Sequence, residues 1–173
     1  MLHKSSLFNM LLASYKQQSV SEKIIELITQ FETDFNKRIP IQNITKDNHP
    51  EVLNNALNYI ENSIQIKSWT EDLRLNILRN KNTVSKRFEI EQIRVSNDAD
   101  NYSTIKEMTN KTDRAKLKQF YIKEQTLQLE QELSEVKINL ECAEMFANEA
   151  KSAEELAYAY YQAVKNLNIE YIK

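Results

Sequence analysis

The sequence contains no glycine and only two prolines, Pro40 and Pro50, in 173 residues. Tight β-hairpin turns lean on glycine for positive φ, so a hairpin-rich sheet protein is excluded on composition. Glycine-rich phosphate loops and dinucleotide-binding turns are excluded on the same ground, because there the backbone must approach its ligand with no Cβ in the way. Cysteine is nearly absent: Cys142 stands alone, so neither an internal disulfide nor a zinc site of several thiolates can form. A lone thiol suits a reducing compartment, and the expected location is cytoplasmic. The apolar stretch Leu7 to Ala13 is interrupted by Asn9 and falls far short of the roughly 20 residues of a membrane-spanning helix. Neither a cleaved leader nor a membrane partner is expected. The frequency of Asn, Lys and Ile is that of an AT-rich genome, such as a low-GC bacterium or its phage.

What the sequence does hold is helical periodicity. A first helix is expected from about Ser6 to Gln17, with Leu7, Met10, Leu11 and Tyr15 on one face. Ser19 and Glu22 have capping-box spacing, and Ile24, Ile25, Leu27, Ile28, Phe31 and Phe35 carry a second helix to about Lys37. The polar stretch 39–49 reads as a loop. Pro50 then fits the first turn of a third helix bearing Leu53, Ala56, Leu57, Ile60 and Ile64 and ending near Lys67. Ser68-Trp69-Thr70-Glu71 reads as another capping box, opening a helix to about Val95 with Leu73, Ile77, Val84, Phe88 and Ile93 on its apolar side. A break is expected over Ser96 to Asn101, then a short turn capped by Thr104 and Glu107.

From Asp113 to about Asn166 nothing interrupts the helix. Leu129, Leu133, Val136, Leu140, Ala143, Ala147, Ala150, Glu154, Ala157, Tyr161 and Val164 alternate in steps of four and three, with Glu154 the sole charge among them. That is a coiled-coil seam, and its alanines permit close approach of a neighbouring backbone. A second stripe, Cys142, Phe146, Ala153, Leu156, Tyr160 and Leu167, lies beside it and widens the apolar face for more than one neighbour. About 50 helical residues span about 80 Å, whereas a compact domain of this length is roughly 40 Å across. Either that helix is broken along its length, or the molecule is elongated and completed by another subunit; the expected fold class is all-α, a helical bundle or hairpin with a long C-terminal coiled-coil-like helix. Two regions are expected, 1–67 with three helices and the loop at 39–49, and 68–173 as a long helical hairpin or coiled coil.

Chemistry-bearing clusters are sparse. His3 and His49 are the only histidines, and neither sits a helical turn from a carboxylate pair. Asp98-Ala-Asp100 offers two ligands of a calcium loop, but Thr109 stands where the closing glutamate belongs. Cys142 lies on an apolar face with no histidine near in sequence to activate it. No catalytic residue, metal site, cofactor or small-molecule substrate is expected, and the protein reads as a non-enzyme. Trp69 and Tyr158 are the aromatic residues most suited to an outward contact.

Charge is uneven. Residues 1–66 carry 6 basic and 7 acidic side chains, 67–124 carry 13 and 9, and 125–173 carry 4 and 9. The basic middle, from Arg74, Arg79 and Lys81 to Arg114, Lys116 and Lys118, is interleaved with Phe88, Tyr102 and Phe120. Cations on successive helical turns can track a phosphate backbone.

Lys86-Arg87, the stretch Lys111 to Lys118, and Leu127-Gln128-Leu129 through Leu140-Glu141-Cys142 to Glu149-Ala150-Lys151 give Val84 to about Lys151 a resemblance to the UvsY family, the recombination mediators of T-even-type phages. That resemblance implies a small helical protein that forms ring-like oligomers, binds single-stranded DNA and helps to load a recombinase. It would make Lys86, Arg87, Arg114, Lys116 and Lys118 the DNA contacts. The acidic end and the N-terminal region depart from the family's pattern. The residues themselves point first to a helical assembly or adaptor protein, acting by protein–protein contact and self-associating through Leu129, Leu133, Val136, Leu140, Ala143, Ala147, Ala150, Ala157, Tyr161 and Val164. Single-stranded DNA binding through the basic middle is one alternative. An inhibitor or immunity-type protein, meeting a bacterial enzyme through the acidic end, is another.

Overall fold

The computed structural model describes residues 19–168, with side chains from residue 25 onward. The expected helix at Ser6 to Gln17, the side chains of the Ser19/Glu22 box and of Ile24, and His3 lie outside the described residues. The fold is all-α, with no strand among the described residues. Its elements are α1 (Ser19–Asn36), a 3₁₀ turn (Ile41–Asn43), α2 (His49–Asn101), α3 (Ser103–Lys106) and α4 (Lys111–Lys165). The long helices α2 and α4 pack on each other. They fall into two compact units: the described residues of Met1–Arg74 with Cys142–Lys173, and Leu75–Glu141.

Two helix boundaries differ from the sequence expectation. The helix expected to end near Lys67 and restart at the Ser68–Glu71 box is continuous, because a buried stripe runs through it: Val52, Ala56, Ile60, Ser63, Ile66, Thr70 and Leu73. Ser63 and Thr70 hide this stripe from a hydrophobicity reading. Each returns its hydroxyl to its own helix, Ser63 to the Ile60 carbonyl at 2.7 Å and Thr70 to the Lys67 carbonyl at 3.0 Å, so neither is buried unsatisfied. Glu71 is no cap; it accepts both hydrogen bonds of the Arg74 guanidinium at 2.9 and 2.6 Å, which lowers its pKa. The break expected over Ser96 to Asn101 falls instead at Tyr102. Val95 and Ala99 continue the buried face, and on the exposed side of the same helix Arg94 pairs with Glu91 and Asp98.

The chain reverses without glycine. No described residue has a positive φ. The turn uses extended Tyr102, the four residues of α3 and the fully buried Ile105. Asn110 then caps α4, its Oδ1 accepting from the amides of Thr112 and Asp113 at 3.0 and 3.5 Å, with Asp113 in the first turn where the helix dipole favours it.

In the first unit α1 lies over both long helices. Phe35 stacks on Phe31 and meets Tyr59 of α2 and Tyr160 of α4 edge-on at 5.4 and 6.0 Å between centroids. Arg38 caps the cluster 4.2 Å above the Phe35 ring. The hydroxyls reach backbone: Tyr59 donates to the Asp34 carbonyl at 3.2 Å and Tyr160 to the Ile39 carbonyl at 2.7 Å. Burial raises both phenol pKa values. The loop is tied down by buried Ile44 and by the His49 ring, whose Nε2 lies 3.1 Å from the Val164 carbonyl.

Candidate interaction surface

In the second unit α2 and α4 run antiparallel, as the cross-helix pairs Arg87–Glu132 and Lys118–Asp100 and the stacked rings of Tyr102 and Tyr121 show. Val84, Leu133 and Val136 form its core, with Ile77 and Phe88 against them. In the first unit Lys67 of α2 reaches Glu154 of α4 at 2.6 Å. That hydrogen bond raises the Lys67 pKa and accounts for the one charge in the seam.

The seam residues are therefore used within the chain. Leu133, Val136, Leu140, Ala143, Ala150, Ala157 and Val164 are buried, and Leu129, Ala147 and Tyr161 are half-buried. In the second stripe Cys142, Phe146 and Tyr160 are buried, with Tyr160 against Phe35 of α1, and Ala153 lines a notch against α1. One stripe suffices for a helix pair and two are needed for a three-helix bundle, so the change of pattern along α4 near Cys142 marks the edge between the units.

The balance of apolar residues separates the units. In the second, six large apolar side chains are buried (Val84, Val95, Ile105, Leu133, Val136, Leu140), whereas eight are exposed: Leu75, Ile90, Ile93, Tyr102, Met108, Phe120, Leu127 and Ile138. In the first, eleven are buried and five exposed among the described residues. Single exposed apolar residues are ordinary on any surface, but here exposure outnumbers burial. Phe120, Leu127 and Ile138 fall within about 20° of one another around α4, a row roughly 27 Å long. Ile90 and Ile93 sit one turn apart on α2, 66% and 64% exposed, with Ile90 at the mouth of a groove lined by Arg87, Gln128, Leu129 and Glu132. Ile93, expected on the apolar side with Val84, stands nine residues beyond it, half a turn out of phase.

The five expected nucleic-acid contacts are not equivalent. Lys86 and Lys116 are exposed and Arg114 half-buried, all without an ion pair among the described residues. Arg87 pairs with Glu132 at 3.3 Å and Lys118 with Asp100 at 2.7 Å. Residues 100–123 still hold 6 basic side chains against 3 acidic, and exposed Phe120 lies between Lys116 and Lys123, both exposed.

In the first unit a notch of about 100 Å³ opens beside α1. Ile28, Phe31 and Phe35 of α1, Ile66 of α2, and Ala150, Ala153 and Leu156 of α4 line it, with Glu32, Asn36, Glu149 and Ser152 around them. Leu156 is 56% exposed although it belongs to the second stripe. Sequence periodicity placed these apolar residues on α1 and α4 but gave no sign that they leave a gap. Cys142 is buried at 1% exposure. No group of three or more His, Cys, Asp or Glu that could hold a metal occurs among the described residues, nor a helix long and apolar enough to cross a membrane. The chain matches no family model, no curated protein and no solved structure.

Proposed function

We propose that this is a non-enzymatic helical contact protein that self-associates, with the second unit, Leu75–Glu141, as its principal contact surface. The observation behind the reading is the excess of exposed over buried large apolar side chains in that unit. A surface of this kind gains free energy by being covered. Self-association through the α4 seam would first require separating α4 from α2, so the exposed residues of the second unit are the more accessible route. The triple variant Ile90→Ser, Ile93→Ser, Phe120→Ser tests this. It should keep the helical content of the wild type and lose its association in size-exclusion chromatography. Unchanged elution of the variant would refute the reading.

A second reading, single-stranded nucleic-acid binding of the recombination-mediator kind, is favoured by Phe120 standing exposed between Lys116 and Lys123. A ring flanked by cations can stack on a base while the lysines meet phosphates. Its test is oligonucleotide binding that weakens steeply as salt rises and is lost in Phe120→Ala.

A further inference from the structure

Resting on the self-association reading, we propose that Phe120 of one copy inserts into the notch between α1 and α4 of a second copy. The notch is walled by Ile28, Phe31, Phe35, Ala153 and Leu156, and its volume of about 100 Å³ is that of one large apolar side chain. A cavity of about 150 Å³ holds a whole benzene ring; the notch has about two-thirds of that volume and is open on one side, so it receives a ring partway, edge first. Phe120 is the apolar residue shaped for it: 65% exposed on a helix face.

Charge selects the same pair. Lys116 and Lys123, one turn before and after Phe120, present cations on both sides of the ring. The notch carries the opposite sign, with Glu149 among its lining. Between Glu26 and Asp34, α1 holds three acids and no base. Ile90 and Ile93 are as exposed as Phe120 but are branched rather than planar, and of the cations a turn from Ile90 only Lys86 is without an ion pair among the described residues, Arg87 and Arg94 being paired with Glu132, Glu91 and Asp98. Each copy offers one Phe120 and one notch, so two copies can exchange the contact reciprocally about a two-fold axis, and successive copies can pass it on head to tail.

The test is cross-linking between full-length chains in a Cys142→Ala background that elutes as the wild type does. Glu124→Cys, one turn from an intact Phe120 on the same face of α4, and Ala153→Cys variants are prepared separately, then treated alone and mixed with a short thiol cross-linker. The inference predicts a two-chain product in the mixture and at least about tenfold less from either variant alone. Independently, Glu149→Lys should weaken association about fivefold, the upper range for one exposed ion pair, with recovery on mixing with a Lys116→Glu, Lys123→Glu variant. A product from Glu124→Cys alone would mean a like-to-like contact and overturn the inference. So would capture of Ala153→Cys by Leu11→Cys in the same chain, which would put the chain's own N-terminal residues in the notch. So would protection of Glu124→Cys by an oligonucleotide with no product in its absence. Association that persists with no mixed product defeats this contact and leaves the self-association reading standing; absence of association at every concentration defeats both.

Discussion

Ala157 and Leu156 are neighbours in α4 with opposite fates. Ala157 is 0% exposed, whereas Leu156 is 56% exposed. The seam residues on either side of Ala157 reach α2, Glu154 through Lys67 and the Val164 carbonyl through His49. A leucine at 157 would have to place three more carbon atoms where two backbones approach closely, and helix propensity, nearly equal for the two residues, would not compensate. Over-packing of this kind costs about 1–3 kcal/mol, or a fall in Tm of roughly 2–12 °C for a chain of this size. Leu156→Ala removes a side chain less than half covered and should cost under about 1 kcal/mol. Urea unfolding followed by far-UV circular dichroism, at a concentration where the chain is monomeric, measures both. If Ala157→Leu were neutral or stabilising and increased association, the stripe would be an intermolecular seam and the intrachain pairing of α2 with α4 would be wrong.

Phe35→Ala should cost about 3–5 kcal/mol in the same assay, since it removes one ring from contacts with Phe31, Tyr59, Tyr160 and Arg38. Tyr160→Phe, which loses only the bond to the Ile39 carbonyl, should cost about 1 kcal/mol. The raised phenol pKa values of Tyr59 and Tyr160 contribute stability that is full below the unfolded value near 10 and is lost as pH rises through the folded values. Ultraviolet titration should therefore show two late phenolates in the native protein that move down on unfolding. Glu71 and Glu91, held low by hydrogen bonds from Arg74 and Arg94, act in the opposite direction. Their contribution is present above the unfolded carboxylate value near 4.3 and is lost as pH falls through the lowered folded values; replacing both by Gln should shallow the acid limb of helix loss. Cys142, 1% exposed, should react with a thiol reagent only as the first unit opens, its rate tracking unfolding under urea; rapid native labelling would contradict its placement.

Much of the architecture was legible in the residues. The absence of glycine pointed to helices, and the four-three spacing over residues 129–164 marked the C-terminal part of α4, whose unbroken run from Lys111 to Lys165 needed the structure. What misled was local polarity. Ser63, Thr70 and Thr126 are buried yet polar; the last donates its hydroxyl to the Ile122 carbonyl at 2.9 Å. A capping-box spacing inside a continuous stripe is not a helix start, because tertiary burial outweighs a local cap. The candidate surface was harder to see. Periodicity identifies what is buried, and Phe120, Leu127 and Ile138 are informative because they lie outside the seam, a distinction that needs α2 in place. The division of α4 into one-stripe and two-stripe segments was present in the sequence, but only the position of α1 gives it meaning.

The most direct measurement of the central claim is the molar mass of the full-length chain by sedimentation equilibrium across a concentration series. Self-association through the exposed residues of the second unit predicts a mass above the 20.4 kDa of one chain at tens of micromolar, falling toward that value on dilution. A mass of 20.4 kDa at every concentration would contradict it.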